Sequence, residues 1–291
     1  MTAIAQISVT ILLHGVAFAM VLYLVSVGLG ITMGLMNYVN LAHGAFAAVG
    51  GYAAVVVTGR LGWSFWAALP MAFVAAAAIG LVLERLVIRH LYGADELRQV
   101  LLSIGLLFMA SAGFSLLFGP VPQHVVTSPM LAGRIGLAGV EFPSYRVFVI
   151  LAGGLSLAAI SGVIDHTSIG MRIRAAVDNR QMAEAIGVDT SALFALTFAF
   201  GSGIAGLGGA IGADLLAINP TYGQEYLVLF LIVIAVGGLG TVTGPFIAAL
   251  LIGIADVTGK YLLPEAGSFL IYALVIVLLI VRPMGLAGKR A

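Results

Sequence analysis

The chain has 291 residues, of which 62% are hydrophobic and 9% charged, with a mean hydropathy of +1.16 and a net charge of +1. An ordinary soluble domain is roughly 25% charged, so that class is excluded, and a near-neutral balance invites no nucleic-acid partner. With no cysteine there is neither a disulfide framework nor a thiolate metal site.

Long apolar stretches recur from end to end, the pattern of a polytopic membrane protein. A spanning segment must pair every backbone polar group internally, which leaves helices or a closed barrel. Barrel strands alternate apolar and polar positions. Runs such as "LIVIAV" and "LVIVLLIV" do not alternate, so the expected fold is all-α, a single transmembrane domain over residues 1–291 with eight to nine crossings.

In chain order, the sequence predicts apolar helices over 8–30, 34–58, 63–88, 100–118, 145–164, 192–216, 225–257 and 268–281. The start, "MTAIAQISVT", lacks a basic segment, so no cleaved signal peptide is expected. The second run contains "NYVNLAHG", which sets Asn37, Asn40 and His43 in apolar surroundings beside Gly44. Such groups are expensive in lipid and face protein or a water-filled cavity. They either line a broken helix near a path or satisfy a kinked backbone. Residues 119–144 are rich in Pro and Gly and read as a connecting loop or a contact for an external partner.

Residues 171–189, "MRIRAAVDNRQMAEAIGVD", gather Arg172, Arg174, Asp178, Arg180, Glu184 and Asp189 in an otherwise apolar chain. Ala175, Ala176, Ala183 and Ala185 favour helix, and Gly187 is a plausible stop. Ala175, Met182 and Ile186 fall near one face of a single amphipathic helix. Three roles fit it: a membrane-surface helix, a solvated loop, or a helix that docks into a groove on another protein. Arg180 and Glu184 are spaced for a modest helix-stabilising pair.

In the sixth run, "GSGIAG" (201–206) matches a dinucleotide fingerprint in letters only. It has no preceding strand, and with Gly208 and Gly212 it reads as a small-residue packing face. Asp214, Asn219, Glu225 and Asp256 sit near run ends, where carboxylates usually reach the interface. A buried Asp256 would be a pathway candidate. The seventh run is too long for one span and contains "GGLGTVTGP", expected to break a helix at depth. "ADVTGK" lacks phosphate-loop spacing, and His14, His43, His90, His124 and His166 show no metal spacing. No nucleophile triad is readable, so no catalytic residue, metal or cofactor of this chain's own is expected.

Lys and Arg set the orientation. Arg85, Arg89, Arg98, Arg172, Arg174, Arg180, Arg282, Lys289 and Arg290 fall on one side of an alternating topology, and Arg60, Arg134, Arg146 and Lys260 on the other. This predicts an external N-terminus and a cytoplasmic C-terminus.

Several motifs resemble one family. "TSIGMRIRAAVDNRQMAEAIGVD" is similar to the cytoplasmic loop of the permeases of branched-chain amino acid ATP-binding-cassette importers, the H-type subunit, through Thr167, Gly170, Arg174, Ala175, Asn179, Ala183 and Gly187. The second run resembles the family's Asn-x-x-Asn-Leu-Ala-His-Gly core through Asn37, Asn40, Leu41, Ala42, His43 and Gly44. "GGLGTVTGP" matches a Gly-rich element through Gly237, Gly238, Gly240, Gly244 and Pro245. "RPMGLAGKR" resembles the family's ending through Arg282, Pro283, Gly285 and Leu286. The matches span nearly the whole chain in order.

The resemblance implies a bacterial inner-membrane permease for branched-chain or other hydrophobic amino acids, with relatives associated with urea or short amides. It implies a related second permease subunit, two cytoplasmic ATPases that carry ATP and Mg, and a periplasmic or extracellular binding protein. Residues 166–191 would then be the coupling loop, with Gly170, Arg174, Ala175, Asn179, Ala183, Glu184 and Gly187 engaging the ATPase. Asn37, Asn40, His43, Gly44, Gly237, Gly238 and Gly240 are the translocation-path candidates. The rivals are an ion-coupled transporter, which predicts intramembrane charges that the spans scarcely offer, and a membrane scaffold, which needs no polar Asn37–His43 stretch.

Overall fold

The computed structural model describes residues 3–286 except 37, 138, 239, 283 and 284. Twelve helices dominate the described residues, and six of them are long and apolar enough to cross a membrane. These are α1 (Ala3–Met36), α3 (Phe65–Leu86), α4 (Glu96–Phe118), α5 (Ser144–His166), α8 (Thr190–Gly212) and α11 (Thr243–Leu262). The shorter helices are α2 (His43–Val55), α6 (Ser168–Asp178), α7 (Arg180–Ala185), α9 (Tyr222–Glu225), α10 (Leu227–Gly237) and α12 (Gly267–Val281). A π turn, Val56–Arg60, extends α2.

Helices α1 and α8 form the centre and are almost wholly buried within the chain, whereas α3, α4 and α5 expose most of their surface. Apolarity on all sides is what a central helix needs, and α1 has it. In α8 the small residues do the work. A Cβ on Gly209 would lie 1.9 Å from the carbonyl oxygen of Ala47, and one on Gly206 would lie 2.4 Å from the Cβ of Ala76. The "GSGIAG" string is a packing face as well, with Gly201 against α1, Gly203 against α3 and Gly206 against α2 and α3, the close approach that membrane helices use in place of a hydrophobic drive.

The helix ends sort into two sets. At one end Tyr92 packs on Phe194, the Arg180 guanidinium lies over Phe194, and Gln99 accepts from the backbone of Val39. At the other, Arg60 lies over Phe118, Val126 donates to Thr58, and Gln6 donates to Gly139. A small antiparallel hairpin, β1 (Arg134–Leu137) and β2 (Val140–Pro143), caps this second end. It lies within the 119–144 segment that the sequence marks as a connecting loop or a contact for an external partner, and Arg134 and Glu141 pair across it at 3.0 Å.

Two expectations change, the start of the second run and the depth of the break in the seventh. The second run does not begin at 34: α1 continues to Met36, and α2 starts at His43. The seventh run divides into α10 and α11, and α10 has 11 residues, about 16 Å and half a membrane. The Gly238–Val242 break lies not at depth but at the first end of the bundle, where Gly240 approaches Gly34 and, with Val242, lines a cavity shared with Asp165 and Arg174. Glycine is needed there because Gly238 and Gly240 adopt φ of +99° and +73°, which a Cβ disfavours.

The breaks at depth lie elsewhere. His43 Nε2 is 3.1 Å from the carbonyl oxygen of Val25, within α1, and Ala42 and Ala45 pack on Leu107, the central residue of α4. The α2 helix thus begins near mid-depth. After α8 the chain turns back inward. Gln123 donates to Ile218 at the outer part of this return, Ile218 fills the space beside Gly51, and α9 reaches Gly44. Two half-length helical segments therefore meet near the centre of the bundle, at Gly44 and Gly223.

Candidate functional site

The charged loop is two helices, not one. α6 and α7 break at Asn179, whose φ and ψ of −154° and 98° are extended. The caps explain the break. Thr167 Oγ1 accepts from Gly170 N at the start of α6, and Asn179 Oδ1 accepts from Met182 N at 2.9 Å at the start of α7. Each satisfies a backbone donor that the first turn leaves open. Gly187, at φ +90°, ends α7 in a Schellman turn: Gly187 N donates to Glu184 O and Val188 N donates to Ala183 O. Asp189 then caps α8 by accepting from Ala192 N at 2.9 Å.

Each sequence-derived coupling residue has a definite place. A Cβ on Gly170 would lie 1.9 Å from the carbonyl oxygen of Ile164, so only glycine lets α6 pack against the end of α5. The Arg174 guanidinium donates to that same Ile164 carbonyl and lies 3.9 Å from Asp165. Gly170 and Arg174 thus form one corner, and Arg174 spends its charge within the chain, on carbonyls that a helix C-terminus leaves open.

Asn179, Ala183, Glu184 and Gly187 form the second corner. Ala183 is buried, Arg180 pairs with Glu184 at 3.0 Å, and Thr190 donates to Glu184. The Thr190 hydroxyl and then Arg180 hold the Glu184 carboxyl below its usual range. The apolar face differs from the one the periodicity predicts. Ile173, Ala176 and Ala183 are buried, Ala175 is half-buried, and Met182 and Ile186 stand 61% and 70% exposed. With Met171, Arg172 and Gln181 also exposed, the loop presents an apolar and basic surface at the end of the bundle.

A layer of contacts joins this loop to the broken segment. Phe194 receives Arg180 on its face and packs edge-on against Tyr92, and Tyr92 packs against Tyr38. The Tyr92 hydroxyl donates to Glu84 at 2.7 Å. Burial and the bond to Glu84 raise its pKa, keeping the phenol protonated. Gln99 accepts from Val39 N and donates to the Leu91 and Ala94 carbonyls. Sequence reasoning passed over Glu84 and Gln99. The signal was there: Glu84 is an acid inside the apolar run "GLVLERL".

Of the path candidates, Asn37 lies outside the described residues. Asn40 and His43 are 1% and 0% exposed. Asn40 Oδ1 accepts from Ala42 N and shapes the turn into α2, while His43 is held on Val25. A Cβ on Gly237 would lie 2.5 Å from Pro245 N, so Gly237 seats α10 against α11. Asp256 is buried and paired with Lys260 at 2.8 Å. Glu225 stands against the interfacial position expected of it: α9 packs at mid-depth, and the side chain is exposed there. A cavity of about 880 Å³ opens beside the two corners of the loop, lined by Ile173, Ile186, Val188, Leu196 and Phe200 among others.

A buried two-helix centre, half-length helices that meet at depth, and a capped two-corner loop at one end define a polytopic helical permease. The chain belongs to the family described as "Branched-chain amino acid transport system / permease component", whose profile matches residues 11–279. It is 26% identical to the high-affinity branched-chain amino acid transport system permease protein LivH of Escherichia coli, covering 95% of this chain and 94% of that one. It is 27% identical to the probable branched-chain amino acid transport permease protein LivH of Methanocaldococcus jannaschii, over 96% of this chain and 92% of the relative. It is also 25% identical to the permease protein LivM of Salmonella typhimurium, over 92% of this chain and 68% of that protein. The family is one of transport permeases, not catalytic enzymes.

Proposed function

We propose that this chain is one permease subunit of an ATP-binding-cassette importer that carries branched-chain amino acids across a bacterial cytoplasmic membrane. The observation that carries this reading is the α6–α7 loop. Its two corners are locked onto α5 and α8, while Met182 and Ile186 remain exposed. A rigid, partly apolar knob at one end of a membrane bundle suits docking into a groove on a soluble subunit. Two cytoplasmic ATPase subunits, which hold the ATP and Mg, would grip that knob. Arg85, Arg89, Arg98, Arg172, Arg174 and Arg180 gather at the same end, which supports a cytoplasmic loop and C-terminus and an external N-terminus.

In this reading ATPase closure pushes α7, and the push reaches the start of α2 through Phe194, Tyr92 and Tyr38. Asn40, His43 and Gly44 on one side, and Gly237, Gly238 and Gly240 on the other, hold the half-length helices around which access alternates. Similarity to both LivH and LivM supports a related second permease as partner, with an external binding protein delivering the amino acid. The test is uptake of labelled leucine into proteoliposomes that contain the assembled importer and its binding protein. Uptake that requires ATP on the ATPase side supports the reading. Uptake driven by an ion gradient without ATP overturns it.

A further inference from the structure

The segment between α8 and α10 carries a polar group that the coupling loop and the Asn40–Gly44 turn do not use. Glu225 ends α9, and α9 packs at mid-depth: a Cβ on Gly223 would lie 2.8 Å from Leu107 and 3.0 Å from Ala45 N, and Leu107 is the central residue of α4. The Glu225 carboxylate accepts from Asn219 Nδ2 at 3.2 and 3.1 Å, one oxygen each, and from Thr221 Oγ1 at 2.6 Å. Asn219 Oδ1 lies 3.1 Å from the same hydroxyl. The carboxylate is therefore held in place by two neutral donors. Among the described residues no Lys, Arg or His pairs with it. Yet Glu225 and Thr221 are exposed on the surface of the chain, with Ala217 and Val228 beside them in sequence.

A carboxyl group at this depth does not face acyl chains. Intramembrane acids face a bundle interior or a water-filled cavity and mark the route of a polar cargo. Asn219 and Thr221 fix the orientation of the carboxylate but leave its charge unneutralised. The complementary group is a compact cation with several donors, which an alkylammonium provides.

The geometry points to Glu225, oriented by Asn219 and Thr221, as a mid-membrane site for the ammonium group of an amino acid in transit. This rests on the importer reading above and names the chemistry by which the path recognises its cargo. The exposed Val228, one turn along, gives an aliphatic side chain an apolar neighbour. The site passes its cargo on: a single carboxylate, with no Lys, Arg or His in ion-pair contact among the described residues, binds briefly.

The test uses the assembled importer with its binding protein in proteoliposomes. Glu225→Gln keeps the shape and the Thr221 bond and removes the charge. It should lower leucine uptake at least tenfold while the subunits still co-purify and ATP is still hydrolysed, and Glu225→Asp should recover part of the loss. The chain contains no cysteine, so Glu225→Cys places a unique thiol in this subunit. That thiol should react with a water-soluble cationic methanethiosulfonate in the assembled importer, and leucine should slow the reaction.

Unchanged uptake by Glu225→Gln overturns the proposal. So does a Glu225→Cys thiol that reacts in the isolated chain but not in the assembly, because Glu225 is then covered by the second permease. Disassembly on Glu225→Gln overturns it in the same way. Failure of the unaltered assembly to use ATP would sink the importer reading instead. The effect of leucine on thiol modification needs no ATP and would still decide the site.

Discussion

Gly44 and Gly223 pack backbone against backbone, so that a Cβ on Gly44 would lie 2.8 Å from both the Cα and the carbonyl oxygen of Gly223. This contact fixes where the two half-length segments meet. Any side chain at Gly44 must push α9 away, and overpacking of this kind costs about 1–3 kcal/mol. Gly44→Ala is expected to lower the thermal midpoint of the detergent-solubilised protein, and Gly44→Val to lower it further. A Gly44→Val protein as stable as the wild type would mean that α9 does not sit against α2.

Arg174 closes the end of α5 from inside the loop. Arg174→Ala removes the guanidinium that donates to the Ile164 carbonyl at a solvent-exposed site, a loss of about 0.5–1.5 kcal/mol. The predicted signature is faster hydrogen exchange in the last turn of α5 and in α6, with the midpoint lowered. Gly170→Ala, which places a methyl 1.9 Å from that same carbonyl, should be at least as damaging. If exchange in α5 were unchanged in both variants, the corner would not be a structural joint.

Glu184 gives the loop a pH dependence of known sign. The Thr190 hydroxyl and Arg180 depress its pKa in the folded protein, so its contribution is complete above its unfolded value of about 4.3 and is lost as pH falls through the lower folded value. The difference in thermal midpoint between wild type and Glu184→Gln should stay constant from pH 8 to pH 6 and shrink only below about pH 4. A difference that changes between pH 8 and pH 6 would place the carboxyl in some other environment.

Asp256 is buried and Lys260 Nζ lies 2.8 Å from it. Lys260→Met strands the acid, at a cost of about 1–3 kcal/mol. The double variant Asp256→Asn with Lys260→Met should be more stable than Lys260→Met alone, because no charge is then left unpaired. Equal midpoints for the two would show that the pair is not coupled.

The sequence carries the class and much of the local detail. Apolar runs locate the spanning helices, and "GSGIAG" on a membrane helix is a packing face, as its small residues predict. Gly187 as a stop and Arg180–Glu184 as a pair are legible because each is settled within one or two turns. The break at Asn179 is not, since a mid-helix Asn is tolerable and becomes a cap only once Gly170 and Arg174 have fixed α6 to α5. The single apolar face is lost for the same reason: the break at Asn179 puts Ala175 on α6 and Met182 on α7, and Met182 and Ile186 stand largely exposed. The depth of Glu225 is legible least of all. "NPTYGQE" resembles an ordinary loop, and only contacts with Gly44 and Leu107, distant in sequence, carry it to the centre.

The central claim is that α6 and α7 are gripped by an ATPase. Its most direct test is co-purification in detergent of this chain with candidate ATPase subunits from the same organism, in the native form and as Met182→Asp with Ile186→Asp. Both side chains are largely exposed, Met182 at 61% and Ile186 at 70%. The account predicts that the ATPase comes down with the native chain and is lost with the variant, while both chains keep the same thermal midpoint. Equal recovery of the ATPase by the two would contradict it.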